Sequence, residues 1–256
     1  MKNRFTWLLV AMLPVALVLS CSKSKALPGS ASLTIVNAVA GSNYLVTNFS
    51  GTDSLTWYAG ATLLVYNDTT AYNQFSGYRG KQPLAIYRYN DTLPHSVPFF
   101  NGILDLPVGS IHTLFLAGTL SNPDTLLTTD HPPYHPLSDS SAGIRFINLS
   151  PGSNPVSVNI QGAANGSEAV NLAYKGVTAF KNYAAGTEVN SYTFEFRDMS
   201  SGALLGRATI SAMVTAAGVS SDLNRLRYRN YTFVLDGLPG VTTGPSAQVV
   251  FRTNNF

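Results

Sequence analysis

The chain has 256 residues, of which 45% are hydrophobic and only 11% are charged. Its 16 basic and 13 acidic residues give a formal net charge of +3, and its single cysteine cannot form an internal disulfide. A charge this close to zero excludes the basic surface typical of nucleic-acid-binding proteins. The length allows two domains of ordinary size.

The N-terminus has the pattern of an exported lipoprotein. Lys2 and Arg4 precede an apolar run over residues 7–19, and residues 18–21 (VLSC) resemble a lipobox that ends at Cys21. A basic start, a short apolar stretch and a cleavage site are the three regions of a secretory signal peptide. A bilayer-spanning helix needs about 20 apolar residues, and this run is shorter. We predict a signal peptide over residues 1–20, lipidation of Cys21, and a tether over residues 21–31.

Lipidation would decide where the protein resides. A cysteine that carries two acyl chains holds a protein stably on a membrane. We therefore expect a lipid-anchored protein of the cell envelope, at the outer membrane, and the sequence leaves the leaflet open. Loss of Lys2 and Arg4 with the signal would leave 14 basic residues against 13 acidic ones, so the mature chain is nearly neutral.

The remainder of the chain repeats itself once. Residues 32–42 (SLTIVNAVAGS) return as residues 143–153 (GIRFINLSPGS), and residues 75–78 (FSGY) return as residues 180–183 (FKNY). Residues 84–88 (LAIYR) match residues 193–197 (TFEFR), and residues 113–118 (TLFLAG) match residues 232–237 (TFVLDG). Four blocks in one order predict two copies of one domain, over residues 32–138 and 143–256.

Within each copy the pattern predicts short strands. Residues 191–197 (SYTFEFR) alternate between large apolar and polar side chains, as a half-buried strand does. Residues 204–217 fit either a helix or a pair of strands. Turn-forming residues separate the apolar runs, and this spacing predicts an all-β fold of two tandem β-sandwiches. Residues 128–141 are rich in Pro, Ser, Thr and Asp, which is typical of a linker crossed by few contacts.

These landmarks resemble a known family. Residues 144–152 (IRFINLSPG), 183–186 (YAAG), 194–197 (FEFR) and 230–237 (NYTFVLDG) are similar to the motifs of domain-of-unknown-function family 4397. Copies of that family occur in tandem in lipoproteins of Bacteroidota. The resemblance implies an immunoglobulin-like or prealbumin-like sandwich and an exported location, and it implies no activity.

Motifs for catalysis are absent from the sequence. It contains no Gly-x-Ser-x-Gly elbow, no His-Glu-x-x-His, no phosphate-binding glycine-rich loop and no second cysteine. His131 and His135 could bind a metal, but the prolines between them favour an extended linker. We therefore expect no enzyme activity, no cofactor and no metal.

One basic cluster points to a ligand. Arg225, Arg227 and Arg229 alternate with Leu226 and Tyr228, so in a strand all three would project to one side. That face could bind an acidic glycan, a lipid headgroup or an acidic envelope protein. The alternative is a solvated strand edge, where charge prevents further pairing.

Two further patterns in the first copy leave alternatives open. Trp57, Tyr58, Tyr87 and Tyr89 could form a sugar-stacking platform or could serve as ordinary core residues. Ser54, Thr69, Thr92 and Thr125 each follow an aspartate, as in the acceptor motif of O-glycosylation in Bacteroidota, although Asp-Thr also begins turns.

Together these observations favour a non-catalytic binding or spacer module of the cell envelope. The alternative is a carbohydrate-binding accessory lipoprotein of a polysaccharide-uptake system.

Overall fold

The computed structural model describes residues 29–52, 62–68, 73–76, 78–89, 91, 96–211 and 224–255. Every regular secondary-structure element in these ranges is a β-strand, so the predicted all-β class is confirmed. Across the same ranges, no helix with the length and apolar character of a membrane span is found. Of the ambiguous residues 204–217, those up to Ser211 form a strand, and the others lie outside the described residues.

The first eight strands form two four-stranded sheets. They are β1 (Ser32–Asn37), β2 (Tyr44–Asn48), β3 (Leu63–Val65), β4 (Gln74–Phe75), β5 (Gly80–Arg88), β6 (Phe100–Leu106), β7 (Ile111–Gly118) and β8 (Pro123–Thr129). One sheet has the order β4-β1-β7-β8 and the other has the order β3-β2-β5-β6. Strands β1 and β7 run parallel, and the other pairs of these sheets are antiparallel.

The next eight strands reproduce this arrangement. They are β9 (Ser141–Asn148), β10 (Val156–Ile160), β11 (Ala169–Leu172), β12 (Lys181–Ala184), β13 (Ser191–Asp198), β14 (Leu204–Ser211), β15 (Asn230–Asp236) and β16 (Val249–Asn255). Their sheets have the orders β12-β9-β15-β16 and β11-β10-β13-β14, and β9 and β15 form the parallel pair. Each sheet among the described residues takes its strands from one half of the chain.

Each half encloses its own apolar core. Aliphatic side chains such as Leu33 and Leu114 dominate the first core. The second core is built around the rings of Phe146, Phe194 and Phe233, with centroids 5.0 Å apart for the first two and 4.9 Å apart for the last two. Aromatic pairs at such separations add to the stabilisation that burial gives.

The structure corrects one block of the internal alignment. The sequence blocks pair Leu84 with Thr193, but the core residues of β5 and β13 are Leu84 and Ile86 in one half and Phe194 and Phe196 in the other. Successive strand residues point to opposite faces, so a shift of one residue exchanges the core face with the outer face. This block of the alignment is therefore wrong by one residue.

The repeated asparagine holds the turn after the first strand of each half. The Asn37 side chain accepts hydrogen bonds from the Val39 N–H at 3.2 Å and the Ser42 hydroxyl at 3.0 Å, and it donates to the Leu64 carbonyl at 3.1 Å. The equivalent partners of Asn148 are Ser150, Ser153 and Leu172. Both amides are buried, so the motif satisfies backbone groups that water cannot reach.

The glycine of each motif reverses the chain. Gly41 has φ 87° and Gly152 has φ 78°, in the left-handed region that side chains disfavour. The repeated motif is thus explained by backbone geometry.

The two halves pack against each other through equivalent sheet faces. Their shared apolar cluster contains Val36, Ala38, Phe115, Ala117, Ile147, Leu149, Val234 and Phe251. Val36 and Ile147 occupy the same position of the repeat, and so do Ala38 and Leu149. Strands β1 and β9 are consequently buried on both faces, which explains why each has apolar residues on both of its sides.

A buried network of hydrogen-bonded polar side chains crosses the same interface. Asp130, which follows β8, accepts hydrogen bonds from the Thr113 hydroxyl at 2.5 Å and from the Arg145 guanidinium at 2.7 Å. Arg145 also donates to the Thr232 hydroxyl at 2.8 Å. Asp130 is 3% exposed and Arg145 is 4% exposed, so each charge depends on the other. The expectation of a linker crossed by few contacts is therefore wrong.

Replacing Asp130 with Ala should destabilise the protein by about 3–5 kcal/mol, because the Arg145 charge would stay buried without its partner. Urea unfolding of Asp130→Ala and wild type measures the difference. Asp105→Ala removes an exposed carboxylate on β6 and should change stability by about 0.5 kcal/mol or less. Equal losses in the two variants would contradict the role given to the ion pair.

A second carboxylate is buried at the interface without a charged partner. Asp236 is 0% exposed, and neither carboxylate oxygen makes a hydrogen bond of ordinary geometry. Its polar neighbours are the Tyr66 hydroxyl of the first half and the Gly237 N–H. Burial raises the pKa of the Asp236 carboxyl to about 7, against the smaller opposing effects of the Gly237 N–H and Tyr66. Asp236 occupies the repeat position of Ala117, so an uncharged side chain suits the fold there.

Because the folded-state pKa of Asp236 exceeds the value of about 4 for an unfolded aspartate, the folded protein binds this proton more tightly. Its contribution to stability is therefore fully present below about pH 4 and is lost as the pH rises to about 7. Asp236→Asn should raise the melting temperature at pH 8, and the gain should disappear towards pH 4. Thermal unfolding at pH 4, 6 and 8 measures this, with Asp105→Asn as control. A gain that does not vary with pH would contradict the prediction.

Candidate functional site

The segment between the halves is fixed on the second half. The buried His135 ring forms a hydrogen bond through Nε2 with the Asn230 side-chain oxygen at 3.0 Å. Asn230 in turn donates to the Pro133 carbonyl at 3.1 Å. The Tyr228 hydroxyl donates to the Leu137 carbonyl at 2.7 Å. These bonds attach the linker along the start of β15.

The linker histidines do not form a metal site with each other. His135 uses Nδ1 for the Asp139 carboxylate at 2.9 Å, and this bond, together with the Ser141 hydroxyl, lowers the pKa of the Asp139 carboxyl. His131 is exposed on the surface. Among the residues that the structure describes, no three His, Cys, Asp or Glu side chains are grouped to hold a metal ion.

A pocket of about 450 Å³ opens between the docked linker and the β15–β16 edge. We call it the linker pocket. It is lined by Pro133, Tyr134, His135, Tyr228, Arg229, Asn230, Tyr231, Asn254 and Asn255. His135 and Asn230 are occupied in holding the linker, and the buried Asn255 accepts a hydrogen bond from Thr232, which leaves the rings, Arg229 and the Asn254 amide to meet a ligand.

Three tyrosines give the pocket its aromatic surface. Tyr134 is 87% exposed and Tyr228 is 40% exposed, whereas Tyr231 is buried at the base of the pocket. Tyr231 lies opposite Asn254 in the β15–β16 pairing, which brings an amide next to the ring. Flat apolar rings beside amide donors and acceptors are suited to sugars, whose rings have both CH and hydroxyl groups.

The structure corrects the arrangement expected for the arginine cluster. Arg225 and Arg227 lie in a turn rather than a strand, and Tyr228 has φ 63°. Leu226 is buried in the second core. Its backbone N–H donates a hydrogen bond to the side-chain oxygen of Asn224 at 2.9 Å. The three guanidinium groups therefore do not form one row on a sheet face.

Each arginine of the cluster has a different environment. Arg225 is exposed and lines no described pocket. Arg227 donates to the carbonyls of Leu137 at 3.4 Å and Asp139 at 3.3 Å, so it supports the linker. Only Arg229 of the three lines the linker pocket.

One positive charge lines the pocket and a second lies close to its base. Arg229 is a lining residue, and the Arg252 guanidinium lies over the Tyr231 ring at 5.2 Å from its centroid. Burial raises the pKa of the Tyr231 hydroxyl, and the charges of Arg229 and Arg252 act in the opposite direction. The charge at and near the base of the pocket is therefore positive.

The other predicted sites are not brought together. Thr125 is half-buried on β8, where Asp124 forms an ion pair with Lys175 of the second half at 2.9 Å. Tyr87 is buried, whereas the Tyr89 ring is partly exposed and contacts Tyr44, which divides the expected tyrosine platform. The predicted positions that lie outside the described residues are Cys21, Ser54, Trp57, Tyr58, Thr69 and Thr92.

Sequence reasoning missed the principal residues of the pocket. No motif in the sequence marks Tyr134 as a binding residue, because its proline-rich surroundings indicate only a linker. Tyr231 and Asn254 are 23 positions apart and meet through strand register, which the sequence does not state. The one available signal was the tyrosine between the two histidine–proline pairs.

Comparison with solved structures finds similar all-β proteins at low identity. One is a family 41 carbohydrate-binding module from streptococcal virulence factors that recognises α-glucan. It is 11% identical in sequence, the match covers 88% of this chain and 97% of that chain, and the TM-score is 0.25. Another is a candidate adhesin from Bacteroides ovatus, with 13% identity, coverage of 86% and 92%, and a TM-score of 0.23. At these TM-scores the superpositions identify no ligand for this chain.

Comparisons of sequence give no relatives. No family model matches the chain, and no curated protein matches it. The resemblance to domain-of-unknown-function family 4397 stays a prediction.

Proposed function

We propose that this protein is a lipid-anchored component of the cell envelope that binds glycans in the linker pocket without catalysis. The observation that carries the proposal is the pocket itself, in which two exposed tyrosine rings and an arginine without an ion pair surround a buried tyrosine. Between the spacer and carbohydrate-binding roles expected from the sequence, this surface favours the second, because a spacer has no need of a concave aromatic site.

The residues around the pocket support binding rather than hydrolysis. None of its lining residues is an aspartate or glutamate. Hydrolysis of a glycosidic bond usually requires two carboxyl groups on opposite sides of that bond. The described pocket can therefore hold a sugar but contains no such pair.

The scaffold also supports binding. Pro133, His135 and Leu137 are tied to the second half by the linker hydrogen bonds, so the pocket walls are ordered before a ligand arrives. A preformed site loses little conformational entropy when it binds.

Tyr134→Ala should weaken glycan binding about tenfold, or ~1.4 kcal/mol, because it removes a stacking face. The melting temperature should stay unchanged, since the side chain is 87% exposed. A glycan array selects the ligand, and calorimetry with that ligand compares the variants. Tyr44→Ala, an exposed tyrosine of the first half, is the control and should bind as wild type. Unchanged affinity in Tyr134→Ala would contradict the site.

The anchor is tested separately. Because Cys21 is the only cysteine, Cys21→Ser should abolish incorporation of radiolabelled palmitate and release the protein from the membrane fraction. Wild type and Tyr134→Ala should both be labelled. Persistent label in Cys21→Ser would contradict the lipoprotein assignment and leave the glycan site untouched.

A further inference from the structure

We propose that the glycan bound in the linker pocket is acidic, and that Arg229 recognises the carboxylate or sulfate group of one sugar residue. The inference rests on the proposed function and narrows its substrate class. It follows from the charge of the pocket, the pairing of the other arginines, and the position of Arg229 beside the tyrosine rings.

The first observation is an uncompensated pair of guanidinium groups. Neither Arg229 nor Arg252 forms an ion pair with any residue that the structure describes. Asp139, the linker carboxylate, is already bonded to His135 at 2.9 Å and to the Ser141 hydroxyl at 2.8 Å. The positive charge at the pocket is therefore available to a ligand.

The second observation is that three other arginines, whose side chains are buried or half-buried, have oxygen acceptors within the protein. Arg145 pairs with Asp130, and Arg197 pairs with Glu195 at 2.8 Å. Arg227, which has no carboxylate partner, donates instead to two linker carbonyls. Arg229 differs from these because it is exposed, lines a pocket, and has the uncharged Tyr231 hydroxyl as its side-chain partner, so no carboxylate neutralises its charge.

The third observation is geometric. The Arg229 backbone is fixed on both sides, since its N–H donates to the Leu226 carbonyl at 3.3 Å and its carbonyl accepts from the Gly143 N–H at 3.0 Å. A guanidinium on a fixed backbone can present parallel N–H groups to the two oxygens of a carboxylate or sulfate. The Tyr228 and Tyr231 rings next to it would then contact the sugar ring that carries the acidic group.

The experiment uses the mature protein on matched pairs of immobilised glycans. Binding to oligogalacturonate is compared with binding to its methyl ester, and binding to a kappa-carrageenan oligosaccharide with binding to its desulfated form. The array also contains other neutral glycans. We expect the acidic members to bind best, with the two pairs showing whether the carboxylate or the sulfate is preferred. Binding should weaken as sodium chloride rises, because exposed charges are screened.

The variant Arg229→Gln should lose about tenfold in affinity for the acidic members and little for the neutral ones. Arg225→Gln is the matched control, because this exposed arginine of the same turn lies outside the pocket. Equal binding of acidic and neutral members by wild type, or full retention of acidic binding by Arg229→Gln, would overturn the inference while the glycan site stands. Absence of binding to every glycan would overturn the proposed function and the inference with it.

Discussion

Arg145 projects from β9 into the space between the two halves, where its guanidinium is removed from water. A charge in that position is tolerated only if an opposite charge reaches it, and Asp130 is the residue that does so. Asp130 is also bonded to Thr113 and Thr128 of the first half, so the same carboxylate belongs to both sides. Asp130 therefore fixes the direction in which the linker leaves β8.

Duplication alone does not explain this interface. The two copies present the same face to each other, yet they differ at the positions that carry charge. Thr34 stands in the first copy where Arg145 stands in the second, and Ala117 stands where Asp236 stands. At each of these two repeat positions, one copy has an ionisable side chain at the interface and the other copy has an uncharged one. Because an unpaired buried charge is costly, divergence at these sites limits the number of groups that need partners.

The sequence predicted the all-β class because alternation and turn residues are local signals that each strand displays. It failed at β5, where Leu84 was aligned with Thr193, because both faces of that strand are apolar and the alternation is weak. It also predicted a strand for the arginine cluster, since alternation cannot show that Leu226 is held by a turn. The linker pocket depends on β15–β16 register and on buried His135, and neither property is local.

The linker pocket arises at the junction of the copies rather than within the repeated unit. Its aromatic wall includes Tyr134, which belongs to the linker, and its base is Tyr231 of the second copy. In the first copy His112 stands at the repeat position of Tyr231 and Ile111 at that of Asn230, so duplication of the sandwich does not duplicate this pocket. The described part of one chain then offers one such site, and strong attachment to a repeating polysaccharide would require several chains side by side. A lipid anchor would provide that arrangement, because confinement to a membrane raises the effective concentration of neighbouring sites.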